Sequence, residues 1–462
     1  MITLADEGTT TTIGHAQLPM MRFYVELPQG SEPSIQLVDD RWEHTTLTAR
    51  GLPASIIPVQ PPQEKTAHQR IETDFVIDLE YYQQDCFFPD QPVSISQTGE
   101  IRSRRFALVE LSPVQYNPVT GEITLLKSCS LELSVERSDI EDTKALINRY
   151  ATPTYEQSFE HLFVNYGELE QGLTLTDKDP VGYLIIVYDS FMDAIQPFAD
   201  YKESIGYDVT VTKTSEIPGG NTVSTIEDYI EEAYTSWEIP PTYVLLVGDT
   251  NQVPTKTSGL QWGVSCTDLY YGTITPGDYF PDISIGRFPA ATADQVANMV
   301  DKTVYYEMRA YSSTEWMNKA AFLASVDNYQ ISEGTHNYVI DNYLLPNGFV
   351  CDKLYQVSYG ATTQDVRDSI NAGRSIVVFS GHGAVTYWAD GPHFDQGDVN
   401  GLTNADMYPF VCSHACVTGT FDYGECFGET WLRAAEKGAI GFWGGSASTY
   451  SVSYTHLTLP TN

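Results

Sequence analysis

The stretch "SIVVFSGHG", residues 375–383, places a histidine between two glycines directly after a run of apolar residues. A short apolar run that contains β-branched residues and ends at a glycine is typical of a strand buried on both faces. In open parallel sheets the working side chains lie just beyond the carboxyl ends of the strands. The stretch therefore predicts a buried strand that presents His382 at a functional edge.

Three further apolar runs end near reactive side chains. "PFVCSHACVTGTF", residues 409–421, presents Cys416, while "AAFLAS" is followed by Asp327 and "YVLLV" by Asp249. Because parallel strands point in the same direction, we expect these side chains and His382 to emerge at one edge of one sheet.

The chain divides into regions with different patterns. Residues 181–451 alternate buried-strand runs with amphipathic helical segments, which predicts an α/β domain with a mostly parallel sheet flanked by helices. Residues 1–140 show short alternating runs and turn signals, which predict a β-rich domain. Residues 141–180 are polar and acidic, and we interpret them as a linker.

The composition excludes several classes of protein and partner. The chain has 61 acidic and 25 basic side chains, and its net charge of −36 argues against binding to nucleic acid or an anionic membrane. Seven cysteines in 462 residues are too few, and odd in number, for a disulfide framework. No apolar run reaches the roughly 18 residues of a membrane helix, so no membrane span is expected.

The start of the sequence differs from a signal-peptide pattern, and its end is similar to a sequencing-adapter pattern. The start, "MITLADEGTTTT", lacks the basic and apolar segments of a signal peptide. The end resembles the in-frame translation of a sequencing adapter, so residues 452–462 are interpreted as an artefact and the last domain as C-terminally truncated.

A cysteine and a histidine at neighbouring strand ends predict nucleophilic catalysis. The Cys416 thiolate would attack a carbonyl carbon, and the His382 imidazole would protonate the departing amine. Asp327 would orient the imidazole, and the N–H groups of Gly383 and Cys416 would stabilise the oxyanion. The alternative interpretation is a buried cysteine near a structural histidine.

A zinc site is a competing hypothesis for the same segment. Cys412, His414 and Cys416 alternate, so they would share one face of a strand, but a fourth ligand and the usual wider spacing are missing. We interpret His393 and His414 as structural or exposed.

The segments "FSGHGAVTYWAD" and "SHACVTGTFDYGECFGE" resemble the histidine and cysteine motifs of the gingipain family of cysteine peptidases. The resemblance extends from Tyr183 to about Tyr450, through "TYVLLVGDT" and "GTITPGDYFPDISIGRFPA". "VQYNPVTGE" is similar to a phrase of that family's pro-domain. The resemblance implies a caspase-like α/β peptidase domain in residues 181–451, preceded by a pro-domain in residues 1–140.

Position by position, the resemblance makes Cys416 the nucleophile and His382 its partner. Cys412 does not occupy the nucleophile position and is expected to be a small core residue. Asp327 stands where the family has a glutamate, and this shorter carboxylate would orient the histidine through a water.

Glu333 aligns with the acidic residue at the base of the specificity pocket in arginine-preferring family members. A buried carboxylate there would select substrates with Arg or Lys before the scissile bond, because a buried charge needs a partner. The alternative is a glutamate in the first turn of a helix capped by Ser332.

The loop "TPGDYFPD" matches calcium ligands of the resembled family. The implied ligands are the carboxylates of Asp278 and Asp282, the backbone carbonyls of Thr275 and Phe280, and a further oxygen from Asp249. The alternative is an acidic surface turn.

The resemblance implies a secreted or cell-surface cysteine endopeptidase precursor that acts on protein or peptide substrates and binds structural calcium. Its pro-domain would be an intramolecular inhibitor until cleavage in or near the linker, at Arg137, Lys144, Arg149 or Lys178. Two alternatives stay open: a secretion-associated transpeptidase, and a non-catalytic binding domain on the same scaffold.

Overall fold

The computed structural model describes residues 8–62, 74–171, 180–260, 263–309 and 311–449. The suspected adapter segment 452–462 and the candidate processing residue Lys178 lie outside these residues. Within the described ranges, no helix has both the length and the apolar character needed to cross a bilayer.

The N-terminal region is β-rich, as predicted. Its elements are β1 (Gly8–Thr9), β2 (Pro19–Leu27), β3 (Glu32–Thr46), α1 (Leu79–Tyr82), β4 (Val93–Ile101), β5 (Arg104–Leu111), β6 (Val114–Tyr116) and β7 (Glu122–Glu136). They form two antiparallel sheets, in the orders β1-β2-β5-β4 and β3-β7-β6. Val25 and Val109 of the first sheet pack with Leu131 and Leu133 of the second, so the alternation in β7 does produce an apolar face.

Two helices occupy much of the segment that the sequence predicts to be a linker. They are α2 (Ile140–Tyr150), capped by the Asp139 side chain, and α3 (Pro153–Leu162), which buries Phe159. The linker interpretation of residues 141–180 is therefore wrong for these helices. Their exposed acidic residues conceal apolar stripes: that of α3 packs on the β-rich domain, whereas Leu146 and Tyr150 of α2 pack against the cluster under α5.

A first parallel sheet follows, in the order β13-β10-β8-β9. The elements of this region are β8 (Val181–Val187), α4 (Met192–Ser204), β9 (Tyr207–Lys213), α5 (Val223–Ser236), β10 (Pro241–Val247), β11 (Lys256–Leu260), β12 (Gly263–Thr267), β13 (Ser284–Phe288) and α6 (Ala293–Met308). Ile186 faces the cluster under α5, while Ile185 faces the cluster under α4 and α6. Both faces of the sheet are thus covered, which explains its continuous apolar strands.

A second parallel sheet has the order β15-β14-β16-β20-β21. The elements of this region are β14 (Lys319–Ala324), α7 (Tyr329–Val339), β15 (Val350–Tyr355), α8 (Gln356–Tyr359), α9 (Thr363–Asn371), β16 (Ile376–Ser380), β17 (Gly383–Ala384), β18 (Tyr387–Trp388), β19 (Phe394–Asp395), α10 (Gln396–Asn400), β20 (Phe410–His414), α11 (Phe427–Arg433) and β21 (Gly441–Gly444). The sequence predicts one sheet for this domain, and the structure has two, because strand periodicity does not reveal which strands pair.

Lys302 of α6 links the helical layer of the first sheet to the second sheet. Its buried Nζ lies within hydrogen-bond distance of four backbone carbonyl oxygens at and after the end of α11. They belong to Trp431 (3.4 Å), Leu432 (2.7 Å), Lys437 (3.2 Å) and Ala439 (3.1 Å). Carbonyls at a helix C-terminus have no partner within the helix, so this ammonium group stabilises both the helix end and the contact between the sheets.

Candidate active site

Three predicted site residues lie at the carboxyl ends of three adjacent strands. β14, β16 and β20 pair in parallel and end at the same level of the ladder. Asp327 follows β14, His382 follows β16 and Cys416 follows β20, each after a short connection. The structure therefore brings these three residues to one edge of the second sheet.

Gly383 allows the histidine segment to approach the cysteine segment closely. A Cβ on Gly383 would lie 2.6 Å from the carbonyl oxygen of Cys416 and 2.8 Å from the Cβ of Ala415. The two segments are also joined by a hydrogen bond from Gly381 N to His414 O at 3.4 Å. The sequence suggested that the glycines make room for a substrate, whereas the structure shows that Gly383 makes room for the backbone that carries Cys416.

The His382 ring has one nitrogen directed at a carboxylate. Its Nε2 lies 3.5 Å from Asp327 Oδ2, and the histidine side chain is 18% exposed while that of Asp327 is 42% exposed. Nδ1 is buried and has no hydrogen-bond partner among the described residues. Asp327 can thus fix the orientation of the ring directly, and Nδ1 is left for proton transfer.

Cys416 lies in a strained turn. The residue is 5% exposed, and its Sγ accepts a hydrogen bond from Thr449 N at 3.2 Å. The next residue, Val417, has a φ of 51°, which is an outlier for a β-branched side chain. Such conformations persist where the surroundings enforce them, and they are concentrated at functional sites. The turn follows β20 and so lies at the sheet edge that carries His382.

Asp390, which the sequence pattern did not single out, connects the two loops beside the histidine. Its Oδ1 accepts a hydrogen bond from His382 N at 3.2 Å, and its Oδ2 accepts from Ser325 Oγ at 2.6 Å and from Val326 N at 3.1 Å. Ser325 Oγ in turn accepts from Asp327 N at 3.0 Å. Asp390 is therefore a positioning residue for both the histidine and its carboxylate partner. The available sequence signal was its place in the "GHGAVTYWAD" segment.

We expect Asp390→Ala to lower kcat by about 10²-fold with little change in KM, because a displacement of about 1 Å in a catalytic group has an effect of this size. Asp390→Asn, which keeps one acceptor oxygen, should give an intermediate kcat. The measurement is steady-state peptide hydrolysis, with Asp368→Ala of α9 as an exposed-carboxylate control. A large change in KM together with the fall in kcat would contradict the positioning role. An equal fall in kcat in Asp368→Ala would contradict it as well.

Cys412 and His414, the remaining two residues of the zinc hypothesis, lie in β20, and the described residues show no metal-binding arrangement of these two with Cys416. Cys412 is half-buried and not a fully buried core residue, and desolvation raises the pKa of its thiol to about 11. The ring of His414 packs edge-on against Trp443, with centroids 5.0 Å apart. Among the described residues, the group of three side chains whose ligand atoms lie close enough to hold a metal is elsewhere, around the exposed His393. This geometry does not support the zinc hypothesis for the Cys416 segment.

Glu333 and His336 occupy adjacent turns of α7. His336 Nε2 lies 2.8 Å from Ser380 Oγ, and burial lowers the pKa of this histidine to about 3, so its ring is neutral. Glu333 is 7% exposed, and its Oε2 accepts a hydrogen bond from Ser358 Oγ. Because Ser380 ends the strand that presents His382, α7 packs next to the candidate active site.

The alternative interpretation of Glu333 as a first-turn residue does not hold. α7 begins at Tyr329, and its N-cap position is Asn328, so Ser332 is inside the helix and does not cap it. Glu333 is a buried residue of the helix interior.

The predicted calcium ligands do not all lie in one place. Asp282 precedes β13 and lies at the N-terminal edge of the first sheet, whereas Asp249 follows β10 at the C-terminal edge. Since β10 and β13 are parallel and in register, the whole strand length separates these carboxylates, at about 3.3 Å per residue. The inclusion of Asp249 is therefore wrong. Its Oδ2 instead accepts a hydrogen bond from Arg433 at 2.9 Å.

The other four predicted ligands stay together in the loop of residues 275–282. Asp282 Oδ2 accepts hydrogen bonds from Ile274 N and Thr275 N, both at 2.9 Å, and Asp278 Oδ1 accepts from Phe280 N at 3.0 Å. Burial raises the pKa of Asp282, and the charge of Asp278 adds to the rise. Asp282 is buried and Asp278 is half-buried, and two carboxylates held close together with backbone carbonyls beside them form an oxygen donor set that fits calcium.

Two family models match the chain. The model described as Peptidase family C25 matches residues 176–460, and the model Propeptide_C25 matches residues 1–163. The propeptide match includes α2 and α3, and the peptidase match runs into the suspected adapter segment 452–462.

Gingipains of Porphyromonas gingivalis are similar to the chain in sequence. Lys-gingipain is 27% identical over 453 residues, which cover 96% of this chain and 25% of Lys-gingipain. Gingipain R2 is 29% identical over 366 residues, which cover 77% of this chain and 48% of gingipain R2. The chain thus spans between a quarter and a half of the length of these relatives.

Solved structures confirm the predicted fold. The crystal structure of the Arg specific cysteine proteinase gingipain R (RgpB) is 29% identical, with a TM-score of 0.53, and the match covers 58% of this chain and 63% of that chain. The complex of the P. gingivalis RgpB pro- and mature domains is 28% identical, also with a TM-score of 0.53, covering 59% and 66% respectively. The architecture is a caspase-like α/β domain preceded by a β-rich domain.

Proposed function

Because this chain belongs to Peptidase family C25, we propose that it is the precursor of a gingipain-like cysteine endopeptidase that cleaves protein or peptide substrates. The observation that carries the proposal is the convergence of Asp327, His382 and Cys416 at one sheet edge, with Asp327 Oδ2 3.5 Å from His382 Nε2. The relatives are named as gingipains and proteinases, which favours hydrolysis over the transpeptidase and binding-domain alternatives.

In the proposed mechanism, the Cys416 sulfur attacks the carbonyl carbon of the scissile peptide and forms a tetrahedral oxyanion. His382 holds the proton of the thiol and transfers it to the departing amine, so the C–N bond breaks and a thioester remains. Water, deprotonated by the same imidazole, then releases the carboxyl product and restores the thiol. The N–H groups of Gly383 and Cys416 are the proposed oxyanion donors, each typically contributing about 3–4 kcal/mol.

We propose that the enzyme prefers Arg or Lys before the scissile bond and that Glu333 confers this preference. Its buried carboxylate accepts a hydrogen bond from the neutral Ser358 hydroxyl, and α7 packs beside the strand that precedes His382; both observations support this role. A buried carboxylate of this kind favours a cationic side chain, which supplies the missing countercharge.

The test of the function and of this preference is a library of peptides that differ at the residue before the cleaved bond. We expect cleavage after Arg or Lys. Glu333→Gln should lower the cleavage rate after Arg or Lys by about 10- to 100-fold relative to the rate after a neutral residue, which corresponds to the loss of one charge-assisted hydrogen bond. Peptides with norleucine serve as the internal control. Cleavage of no peptide by the parent chain would contradict the function, whereas an equal effect of Glu333→Gln on all peptides would contradict only the specificity.

The pro-domain partner is represented in this chain by the β-rich domain and its two helices. We propose that it inhibits the peptidase domain until the chain is cleaved near Arg137, Lys144 or Arg149, or at Lys178. The solved complex of pro- and mature domains in a relative supports such a pairing. Export to the cell surface or beyond is proposed from the same relatives.

We further propose that the loop of residues 275–282 binds a structural calcium ion through Asp278, Asp282 and the carbonyls of Thr275 and Phe280. Calcium at a hundredfold excess over its Kd should stabilise the folded chain by about 2.7 kcal/mol. The measurement is the melting temperature with calcium or with a chelator. Asp278→Asn should remove the calcium-dependent increment and Asp249→Asn should retain it. An unchanged increment in Asp278→Asn would refute this assignment.

A further inference from the structure

The turn between β4 and β5 has an unfavourable sequence for its conformation. The connection consists of Arg102 and Ser103, with φ angles of 48° and 61°. A two-residue hairpin turn with both φ angles positive favours Asn-Gly, because most side chains are strained there. Arg102 therefore does not stabilise the turn, which indicates that its side chain has another role.

The Arg102 side chain is inserted into the peptidase domain. The residue is 2% exposed, and its guanidinium group donates to Thr242 Oγ1 at 2.9 Å, to Asp282 O at 3.2 Å and to Pro241 O at 3.3 Å. Its Nε donates to Tyr150 O at 2.7 Å. Each of these acceptors is an uncharged oxygen, so the hydrogen bonds depend on the fixed shape of the guanidinium group.

The backbone and the apolar residues of the same hairpin complete the contact. Arg102 N donates to Asp282 Oδ1 at 2.7 Å, and Glu100 N donates to Asp278 Oδ2 at 2.8 Å. A Cβ on Gly99 would lie 2.8 Å from the Phe280 ring, so the hairpin and the ring are in direct contact. Phe280 belongs to the same apolar cluster as residues of the N-terminal domain.

This contact lies away from the candidate active site. Pro241 and Thr242 begin β10 and Asp282 precedes β13, so the hairpin binds the N-terminal edge of the first sheet. Among the described residues, the hydrogen bonds from the N-terminal domain to the peptidase domain all reach residues 234–284. His382 and Cys416, in contrast, lie at the C-terminal edge of the second sheet.

We propose that the Arg102 hairpin is a docking site that holds the N-terminal domain on the peptidase domain independently of the covalent linker and of the active site. After cleavage of the linker the two parts stay bound, and their separation requires withdrawal of Arg102 from the starts of β10 and β13. The proposal concerns attachment only, so it stands or falls separately from the proposed peptidase activity.

The experiment uses the full chain with Cys416→Ala, which prevents self-cleavage, and with a recognition site for an unrelated protease replacing residues 172–179. After cleavage, the affinity between the two fragments is measured by dilution and size-exclusion chromatography. We expect the parent fragments to stay together. Arg102→Asn combined with Ser103→Gly should weaken their affinity at least about 30-fold, because it removes the buried hydrogen bonds that a charged group donates across the contact.

The double substitution also separates docking from folding. Asn-Gly suits the turn better than the native pair, so the hairpin itself should be as stable or more stable. The matched control is Arg105→Ala, because the Arg105 guanidinium group bonds to Ser31 within the N-terminal domain. This control should leave the affinity between the fragments unchanged.

A substitution on the opposite side of the contact completes the test. Thr242→Val keeps the shape of a fully buried side chain but removes the hydroxyl oxygen that accepts a hydrogen bond from Arg102. It should therefore weaken the affinity between the parent fragments. In the Arg102→Asn/Ser103→Gly chain it should have no further effect, because the donor is already absent. The proposal is overturned if the fragments of Arg102→Asn/Ser103→Gly bind each other as tightly as the parent fragments. It is also overturned if the effects of Thr242→Val and Arg102→Asn/Ser103→Gly on the affinity add, or if Arg105→Ala weakens the affinity equally.

Discussion

Replacing Cys416 with alanine is expected to lower kcat for peptide hydrolysis by at least about 10⁴-fold, as the loss of a catalytic nucleophile does in other peptidases. The thiol is the atom that forms the thioester, and His382 has no comparable nucleophile to activate in its absence. Cleavage of the chain's own pro-domain segment should stop as well, because the same thiol would carry it out.

The matched control is Cys412→Ala, which removes a half-buried thiol from β20, the strand that precedes Cys416. Burial raises the pKa of the Cys412 thiol, so this residue should be unreactive, and its loss should leave most of the activity in place. The measurement combines peptide hydrolysis with mass spectrometry of the protein after incubation. Comparable activity in Cys416→Ala and the parent would eliminate the proposed mechanism.

Arg104→Met is expected to destabilise the N-terminal domain by about 3–5 kcal/mol, the usual cost of leaving buried charges without their partner. Arg104 donates to Glu26 Oε1 at 2.5 Å, to Glu156 Oε2 at 2.6 Å and to Glu170, and its side chain is 2% exposed. One guanidinium group therefore neutralises part of the charge of three carboxylates. The measurement is the free energy of opening from hydrogen exchange of β5 amides, in the Cys416→Ala background.

The control for Arg104 is Arg137→Met, which breaks an exposed ion pair with Glu32 and should have an effect below about 1 kcal/mol. Destabilisation of similar size in both variants would contradict the role of the buried cluster.

The destabilisation by Arg104→Met should also depend on pH. Burial raises the pKa of Glu26 from 4.5 to about 7 even with Arg104 present, and removal of the guanidinium group would raise it further. A carboxyl whose pKa is higher in the folded chain takes up a proton on folding, so its contribution to stability falls as the pH rises between 4.5 and 7. Well below pH 7 Glu26 is protonated in both folded chains and cancels from the difference, so the deficit of the variant should grow as the pH rises above about 7, and a pH-independent deficit over that range would contradict this account.

The sequence predicted local features of the fold well, because they depend on local patterns. Continuous apolar runs identified β16 and β20, and the residues that follow them, His382 and Cys416, do lie at one sheet edge. The pattern did not reveal that β10 belongs to a different sheet from β14, because strand pairing is set by contacts distant in sequence. For that reason Asp249, which follows β10, was wrongly expected at the same sheet edge as His382 and Cys416.

Other features were missed because their role depends on a distant partner. Asp390 is one more acidic residue in an acidic chain until its hydrogen bonds to Ser325 and His382 are seen. Arg102 reads as an ordinary hairpin residue, and only its φ angle and its burial show that it reaches another domain. The helices α2 and α3 were hidden by the charge of their exposed faces.

The direct pairing of β16 with β20 has a consequence for catalysis. Neighbouring strands are held about 4.8 Å apart by their ladder of hydrogen bonds. The segments that carry the thiol and the imidazole follow such neighbours, so folding of the sheet brings both to one edge without closure of one domain on another.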